Sequence, residues 1–470
     1  MNGELAYAPA WWLRDEFQAK RLSPVEVVEY LLRRIEALNP RLNVYLTVTA
    51  DIALAAARAA EAKVQRGETL GPLEGVPVSV KDLFATAGIR TTFGSLAFRD
   101  HIPTEDAVTV ERVKAAGLAI LGKTSSPEFG MAGTTENRLG EPCRNPWDLA
   151  RTSGGSSGGA AAVAAGLGVL GLGGDGAGSI RIPCSFCGLF GLKPTRGRVP
   201  RSGGMGAPVA NQFTHYGPMT WWVKDAALLL EALAGYDRRD PLALREPAPD
   251  VTSTLADGVN GLRIAWSADL GYAEVDPEVV EVCARAARLF EDLGATVEEP
   301  SIRLEHPMSY FLDMFEGGAY VRYQDLYHGQ PELLTDYVRE VFGRGSDVTL
   351  TRYLRAARSM EVLSQQMGEL FDAYDLLLTP TMAVPAFPIG QRPLAIAGRS
   401  VHPYWGYLPF TPLFNMTGQP AATVPAGFSA GGLPIGLHVI GRVGADATVL
   451  RAAYAFEQAR PWQNTLPDLV

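Results

Sequence analysis

The centre of the chain, residues 152–183, is dominated by glycine, alanine and serine, which strongly restricts how it can fold. The two runs densest in glycine read Ser153-Gly-Gly-Ser-Ser-Gly-Gly159 and Gly173-Gly-Asp-Gly-Ala-Gly-Ser179. Glycine loses more conformational freedom on folding than other residues, so such runs are costly unless the backbone needs them. Residues 152–174 carry no charge, but their small side chains favour tight packing inside a protein over a membrane span. We expect backbone amides here to lie close to a reacting group.

The segments on either side of this centre alternate between helix and strand patterns. Ser23-Pro-Val-Glu26 offers an N-cap serine, a proline at the first helical position and a capping-box glutamate. Residues 74–84 predict a short apolar strand that ends near Lys81. A strand, a helix and a second strand are predicted at 262–266, 277–293 and 295–299. Because this alternation is typical of parallel β-α-β units, the chain is predicted to be an α/β protein.

The charge balance and the cysteines exclude several classes of protein. With 51 acidic and 42 basic residues, the formal charge of −9 argues against nucleic-acid binding as the main function. The N-terminus lacks the basic start and apolar run of an export signal, and four cysteines are too few for a disulfide scaffold. Cys184 and Cys187 form a lone CxxC pair without the further ligands of a zinc site. We therefore expect a soluble cytoplasmic protein without a metal, a cofactor or a membrane partner.

Three familiar motif matches occur in the centre but lack the context that they need. Gly154–Gly158 satisfies GxSxG, yet residues 148–153 do not read as the strand that a nucleophile elbow requires. Gly166–Gly171 and Gly171–Gly176 satisfy GxGxxG, but neither follows a clear strand and opens a helix. The six histidines are scattered without motif context. Neither a dinucleotide site nor a serine–histidine triad is predicted.

A lysine and two serines in unusual settings remain, and here the sequence resembles the amidase signature family. The hallmark of that family is a lysine at a strand end, a glycine-flanked serine pair and a serine in a D-x-G-G-S-I-R-x-P run. The matching segments are Gly75–Asp82, Gly122–Thr124, Asn145–Trp147, Gly154–Gly159, Asp175–Pro183, Cys187–Gly197, Gly217–Met219, Asn415–Pro420 and Gly432–Gly436. The resemblance covers roughly residues 20 to 460 and is weakest over 236–400.

The resemblance implies one compact domain over residues 1–470, with a large mixed, mostly parallel β-sheet covered by helices on both faces. Within it, we place a catalytic core segment at 70–235. The proline, arginine and aspartate content of 236–262 predicts a linker or surface excursion. Residues 300–400 are expected to form a variable, helix-rich region that faces the substrate.

By the same resemblance, Ser179 is the nucleophile, Ser156 is a bridging serine held by a cis peptide bond, and Lys81 is the base. A lysine with the reference pKa of about 10.4 is almost wholly charged at neutral pH, so burial has to lower its pKa. A shift of three pKa units corresponds to about 4 kcal/mol, which is within the range for buried lysines. The neutral amine can then accept a proton from Ser156 while Ser156 takes one from Ser179.

The sequence departs from the family pattern at three points. The predicted oxyanion hole consists of the backbone amides of Gly176, Ala177 and Gly178, together with that of Ser179 itself. Ala177 stands where the family usually has glycine, and this change keeps the amide. Ser153 replaces the usual proline before the serine pair, and Ser156 and Ser179 are 23 residues apart (179 − 156), one fewer than is typical. Ser156 is therefore assigned by its motif, with Ser157 as the fallback for the bridging role.

The resemblance also implies which residues lie beside the scissile carbonyl. They are Met131, Ala132, Gly133 and Thr134, with Ser157 as a further substrate contact. Residues 301–345 and 400–416 are expected to shape the outer pocket, and their aromatic side chains favour an uncharged hydrophobic or aryl amide. Carbamates, esters and nylon-type oligomers are further candidate substrates. We expect a small-molecule substrate and a monomer or homodimer, without a nucleic-acid partner.

Two alternatives stay open at this point. The first is the glutaminase subunit of a tRNA-dependent amidotransferase, which needs charged groups for the α-amino and α-carboxyl groups of glutamine. Such a pair is not evident in residues 301–420. The second is a catalytically inactive binding protein on the same fold, which a serine-directed fluorophosphonate would fail to label.

Overall fold

The computed structural model describes residues 5–203 and 212–469. Within them the strands are β1 (Tyr45–Val48), β2 (Pro77–Lys81), β3 (Ala119–Thr124), β4 (Arg144–Asn145), β5 (Asp148–Thr152), β6 (Leu170–Asp175), β7 (Phe190–Lys193), β8 (His215–Thr220), β9 (Arg263–Trp266), β10 (Thr296–Glu298), β11 (Leu376–Pro380), β12 (Ala395–Ile396), β13 (Arg399–Ser400), β14 (Ala421–Phe428) and β15 (Pro434–Gly441). The α-helices are α1 (Ala10–Gln18), α2 (Pro24–Leu42), α3 (Ala50–Gln65), α4 (Val108–Ala115), α5 (Gly159–Ala164), α6 (Arg181–Cys187), α7 (Val223–Leu233), α8 (Pro277–Asp292), α9 (Met308–Gly329), α10 (Asp336–Ser346), α11 (Leu350–Ala373), α12 (Thr411–Thr417) and α13 (Asp446–Ala459). Short 3₁₀ turns occur at Leu5–Tyr7, Leu96–Phe98, Glu128–Gly130, Leu255–Asp257 and Pro331–Leu333.

The central sheet has eleven strands in the order β1-β3-β2-β6-β8-β7-β14-β15-β11-β9-β10. It is large and mixed, as the sequence predicts. Parallel pairs join β3 to β2, β2 to β6, β11 to β9, and β9 to β10. All neighbouring pairs from β6 to β11 are antiparallel. Two of these pairs arise because β8 lies between β6 and β7 and runs against both. The expected parallel pairing is therefore found in two blocks, β3-β2-β6 and β11-β9-β10, whereas the middle of the sheet and the edge pair of β1 with β3 are antiparallel.

Helices cover both faces of this sheet. Every residue of β2, β6, β8 and β15 is buried, although successive side chains of a strand point to opposite faces. Such strands require cover on each side. The covering contacts come from α5 on β2 and β6, from α7 on β8, and from α8 and α13 on β14 and β15. Among the described residues, none of the helices combines the length and apolar character needed to cross a bilayer.

The parallel pairing of β2 with β6 determines where chemistry can occur. Val78 and Val80 of β2 lie opposite Leu170 and Leu172 of β6, so the two strands end at the same edge of the sheet. Lys81 is the last residue of β2. The glycine-rich turn that follows β6 is therefore brought next to Lys81, at the carboxyl edge where parallel sheets commonly bind ligands.

Local sequence signals near the N-terminus and in the centre are found as expected. Ser23 caps α2 through a complete capping box with Glu26. Residues 148–152 form β5, which pairs with β4 in a two-stranded ribbon and makes an isolated bridge from Arg151 to Pro388. β5 therefore lies outside the central sheet and is not the strand that a nucleophile elbow requires.

A helical layer made of α9, α10 and α11 lies over the residues that follow β3. α9 packs against both α10 and α11. A second apolar cluster joins this layer to the loops below and contains Phe93, Phe129, Met131, Leu334, Val338, Val341 and Phe342. Residues 236–262 are mostly irregular, and Val251 and Leu255 within them are buried.

Candidate active site

Lys81 lies at the end of β2 with its side chain fully removed from solvent. Its Nζ lies 2.7 Å from Ser156 Oγ and donates a hydrogen bond to the Gly174 carbonyl oxygen at 3.0 Å. Gly174 belongs to β6, the parallel neighbour of β2. The sheet pairing therefore fixes the amine between a backbone carbonyl and a serine hydroxyl.

Burial lowers the pKa of Lys81 to about 7, and the carboxylate of Asp175 opposes part of that decrease. Desolvation disfavours the charged form of an amine, whereas a nearby anion favours it. Burial dominates here because the amine has no contact with water. At neutral pH a large fraction of Lys81 is therefore uncharged and able to accept a proton.

Ser156 lies in the loop between β5 and α5, and the peptide bond between Gly155 and Ser156 is cis. Gly155 packs so closely on the loop before β4 that a Cβ atom would lie 2.6 Å from the carbonyl carbon of Thr134. Ser157, the fallback for the bridging role, has a buried hydroxyl with no hydrogen-bond partner among the described residues. The structure thus brings Ser156, and not Ser157, to Lys81.

Ser179 lies in the turn between β6 and α6 and is 7% exposed. It lines one cavity together with Lys81 and Ser156. Lys81 and Ser156 are joined by a hydrogen bond. Ser156 and Ser179 line the same cavity, but among the described residues no hydrogen bond joins their hydroxyls. The three side chains predicted to act together therefore meet in one place.

A buried charge network holds the turn that carries Ser179. The Asp175 carboxylate accepts hydrogen bonds from the backbone amides of Gly178 at 2.7 Å and Ile180 at 3.2 Å. It also accepts from Arg181 Nε at 2.9 Å and from Asn415 Nδ2 at 2.8 Å. Burial acts to raise the pKa of Asp175, but the charge and hydrogen bonds of Arg181, the Asn415 hydrogen bond and the Lys193 amine together hold this pKa well below its usual range. Asp175 therefore stays ionised beneath the turn.

This network changes the predicted oxyanion hole. Because the Gly178 amide donates to Asp175, it is not directed at a substrate oxygen. Gly176 lines the cavity, and the carbonyl of Ala177 accepts a hydrogen bond from Thr411 Oγ1 at 2.7 Å. The amides that stay available for an oxyanion are those of Gly176, Ala177 and Ser179. The sequence could not distinguish them, because the direction of each amide depends on the Asp175 contacts.

The predicted substrate-contact segment divides between two cavities. Met131 lines the cavity of Lys81 and Ser179, next to Gly130 and Phe129. Ala132 and Thr134 line a neighbouring cavity instead, where Thr134 Oγ1 accepts a hydrogen bond from Arg392. Gly133 packs against the hydroxyl of Tyr407. The structure therefore brings Met131 into the cavity of the reacting groups and places these three residues outside its lining. Their contact with substrate stays a prediction.

The outer wall of the cavity is formed by α9. The side chains that α9 contributes are Met314, Phe315, Gly318, Ala319, Arg322 and Tyr323. None of the described residues from 400 to 416 is among those that line the cavity. Trp405 instead packs behind α9, with its ring 5.6 Å from Phe311 and 5.9 Å from Phe315. The aromatic side chains of 400–416 therefore support the wall and do not line it.

Several cavity residues escaped the sequence analysis. Arg201, Tyr216 and Arg322 line the cavity, yet none belongs to the serine and lysine motifs. The ion pair of Arg181 with Asp175 could have been predicted from the sequence. These two are the charged residues in a run from 152 to 187 that otherwise has uncharged and mostly small side chains. In the described part of the chain, no group of three or more His, Cys, Asp or Glu is arranged to hold a metal ion.

Comparison with known proteins adds to this geometry. The model of the protein family described as Amidase matches residues 26–450. The chain belongs to the amidase family. It is 40% identical to an acylamidase of Rhodococcus erythropolis, over 96% of this amidase and 94% of the relative. It is 41% identical to a glutamyl-tRNA(Gln) amidotransferase subunit of Moorella thermoacetica, over 99% of each chain. The crystal structure of a bacterial aryl acylamidase of the amidase signature family superposes with a TM-score of 0.92 at 34% identity, covering 97% of each chain.

Family membership and these neighbours establish the general activity. The protein is an amide-hydrolysing enzyme that acts on carbon–nitrogen bonds. An acylamidase and a subunit of an amidotransferase are both among its relatives, and their identities to this chain are almost equal. The choice between their substrates depends on the cavity of this amidase and not on identity alone.

Proposed function

We propose that this amidase hydrolyses hydrophobic or aryl amides through an acyl-enzyme on Ser179, with Lys81 and Ser156 as the proton relay. The observation that carries the proposal is the fully buried amine of Lys81, 2.7 Å from Ser156 Oγ and in one cavity with Ser179. A buried amine with a pKa of about 7 is suited to a base that must lose and regain a proton near neutral pH.

In the first half of the reaction, neutral Lys81 takes the proton of the Ser156 hydroxyl while Ser156 takes that of Ser179. The Ser179 oxygen attacks the carbonyl carbon of the amide, and the carbonyl electrons move onto the oxygen. The amides of Gly176, Ala177 and Ser179 are the donors available to stabilise this oxyanion, and loss of one such donor typically costs about 10²- to 10³-fold in rate. The cavity geometry supports this order of transfer because Ser156 lies next to the amine.

In the second half, the oxyanion collapses and the carbon–nitrogen bond breaks. The nitrogen leaves as an amine because the proton held on Lys81 returns to it through Ser156. Water then attacks the Ser179 ester, gives its proton to the same relay, and releases the carboxylic acid and free Ser179. Lys81 starts and ends the cycle neutral, so the relay needs no net exchange with solvent.

The lining of the cavity supports an aryl or hydrophobic substrate. Aromatic and apolar side chains surround the reacting groups on several sides, and they include Phe84, Phe129, Met131, Phe213 and Phe315. Aromatic rings favour stacked or edge contacts with other rings, which suits an anilide. Carbamates and linear lactam oligomers carry the same carbonyl–nitrogen bond, and we include them as candidate substrates.

The test is turnover of a panel of anilides, carbamates, primary amides, lactam oligomers and glutamine. Ser179→Ala should abolish hydrolysis and also prevent labelling by a fluorophosphonate probe. Ser156→Ala should reduce turnover severely, whereas Ser157→Ala serves as the matched control because its hydroxyl makes no hydrogen bond to the relay. Equal losses for the two neighbouring serines would refute the assignment of the bridging role.

A second candidate is the glutaminase subunit of an amidotransferase, favoured by 41% identity over 99% of one such relative. Glutamine carries an α-ammonium group, which proteins usually bind with a carboxylate. Among the described residues that line the cavity, none is an aspartate or glutamate. Rapid release of ammonia from free glutamine, together with stable association with a second protein chain, would favour this candidate over the proposed anilide hydrolysis.

A further inference from the structure

The charged side chains that line the cavity, among the described residues, are all basic. They are Lys81, Arg201 and Arg322. About half of Lys81 is neutral at pH 7, because burial lowers its pKa to about 7. The guanidinium group of an arginine is a fixed cation in proteins and a preferred partner for carboxylates. Two such groups line the cavity besides Lys81, and an uncharged anilide does not use them.

Arg322 lies on the face of α9 that forms the cavity wall. Gly318 and Ala319 lie four and three positions before it, so they occupy the same face of the helix and line the cavity as well. The Arg322 guanidinium lies 5.4 Å from the centre of the Tyr323 ring. Because Gly318 and Ala319 are small, space remains in front of the Arg322 side chain. This space belongs to the cavity that contains the relay and Ser179.

Arg201 follows β7 in the chain, lines the same cavity and is 4% exposed. Its backbone amide donates to Asp240 Oδ2 at 2.8 Å, and its Nε lies 4.0 Å from the same oxygen. Tyr216 of β8 lines the cavity with both arginines. Burial raises the pKa of the Tyr216 hydroxyl, the guanidiniums of Arg201 and Arg322 act against that increase, and the Asp240 carboxylate adds to it. Both cations therefore lie near one tyrosine hydroxyl.

Tyr216 connects the arginines to the relay. Its ring lies against Gly174, where a Cβ atom would be 3.4 Å from the ring carbons. The carbonyl of Gly174 accepts the hydrogen bond from Lys81. Tyr216, both arginines and the three reacting groups line one continuous cavity, so a single substrate can contact the relay at one end and the arginines at the other.

We propose that this amidase selects amides that carry a carboxylate at the end remote from the scissile bond, held by Arg322 with Arg201. The planar guanidinium matches a carboxylate through two parallel hydrogen bonds, and such charge-assisted bonds are stronger than neutral ones. The apolar residues beside the relay bind the segment between the two ends. This inference rests on the proposed hydrolysis of aryl or hydrophobic amides and specifies their remote group.

The test compares each acid with its own methyl ester, which keeps the shape and removes the charge. One pair is glutaryl-4-nitroanilide and its methyl ester, with the acid on the acyl side. The other pair is 4-acetamidobenzoate and its methyl ester, with the acid on the amine side. We expect kcat/KM to be at least about tenfold higher for the acid in one of the pairs, and that pair identifies the side that faces the arginines.

Arg322→Gln should lower kcat/KM for the preferred acid by at least about tenfold, mainly through KM, while its ester changes by less than about threefold. Arg339→Gln is the matched control, since Arg339 lies on α10 outside the cavity and pairs with Asp336. Arg322→Lys should retain part of the preference because it keeps the charge. Equal turnover of acids and esters by the wild type, or equal losses on both in Arg322→Gln, would overturn the inference. Absence of turnover on all four compounds would instead contradict the proposed hydrolysis.

Discussion

At the scale of single residues, the properties of the site depend on the removal of Lys81 from water. The amine lies at a strand end, between the Gly174 carbonyl and Ser156 Oγ, and burial lowers its pKa to about 7. The sequence could place Lys81 at the end of a strand and require a lowered pKa for its role. The family resemblance also placed Ser156 next to the amine. The sequence could not identify the Gly174 carbonyl, because that contact depends on the parallel pairing of β2 with β6.

The lowered pKa makes stability depend on pH. Between about pH 7 and 10.4 the unfolded chain holds a proton on Lys81 that the folded protein does not, so unfolding takes up a proton and stability rises with pH. We expect the unfolding free energy of the wild type to rise relative to Lys81→Met by roughly 1.4 kcal/mol per pH unit in the middle of this range. Urea unfolding of both proteins at pH 7, 8, 9 and 10 measures the difference.

Lys20→Met, at an exposed position, controls for the simple loss of one lysine. A difference between wild type and Lys81→Met that stays constant from pH 7 to 10 would mean that Lys81 is charged in the folded protein. That outcome would remove the physical basis for its role as a base.

At the scale of elements, the turn from β6 to α6 is held by the Asp175 carboxylate. This carboxylate binds two backbone amides of the turn, the Arg181 side chain and Asn415 of α12. The D-x-x-x-S-I-R pattern contained the network, but the sequence assigned Gly178 to the oxyanion hole. Its amide instead points to Asp175, and only the three-dimensional path of the turn determines that direction.

Replacement of Asp175 by asparagine should affect both stability and the pH profile. Arg181 would keep a buried charge without its partner, a situation that typically costs about 3–5 kcal/mol. The Asp175 charge also raises the pKa of Lys81, so its removal should move the activity profile to lower pH. Thermal unfolding and kcat/KM from pH 5 to 9 test the two effects.

Asp15→Asn is the control for loss of one carboxylate, since its ion pair with Arg14 is on the surface. An Asp175→Asn protein with an unshifted profile would show that the Asp175 charge does not act on Lys81. The remaining loss of stability would then be purely structural.

At the scale of the whole molecule, the sheet brings together motifs that lie far apart in the chain, and the layer of α9, α10 and α11 closes the cavity over them. The sequence predicted an α/β sheet, the strand before Lys81 and the helices of 300–400. It did not predict the antiparallel insertion of β8, nor that the chain turns away from the cavity after Met131. Those features depend on packing between distant segments, which local patterns do not encode.

Phe342 tests how the helical layer supports the cavity. It is fully buried on α10, with its ring centre 6.2 Å from that of Phe129 and 5.6 Å from that of Tyr323, and both of these rings line the cavity. Phe342→Ala should destabilise the protein by about 3–5 kcal/mol. It should also raise KM for anilides more than it lowers kcat, because the relay is built on the sheet. Chemical unfolding and steady-state kinetics measure these changes.

Val362→Ala, at a position on α11 that is 52% exposed, should change stability by no more than about 0.5 kcal/mol and serves as the control. A kcat for Phe342→Ala that falls as much as KM rises would indicate that the layer positions the relay itself. The division between a rigid catalytic sheet and a substrate-facing helical layer would then be incorrect.

The most direct test of the account is the pH dependence of kcat/KM for an anilide, because it reports the ionisation of the free enzyme. Only the neutral amine of Lys81 accepts a proton, so the rate should rise tenfold per pH unit at low pH and level off above about pH 7. Lys81→Arg, which stays charged, should be inactive throughout. A profile that is flat from pH 5 to 9, or a Lys81→Arg enzyme that retains most of its activity, would contradict a neutral lysine base.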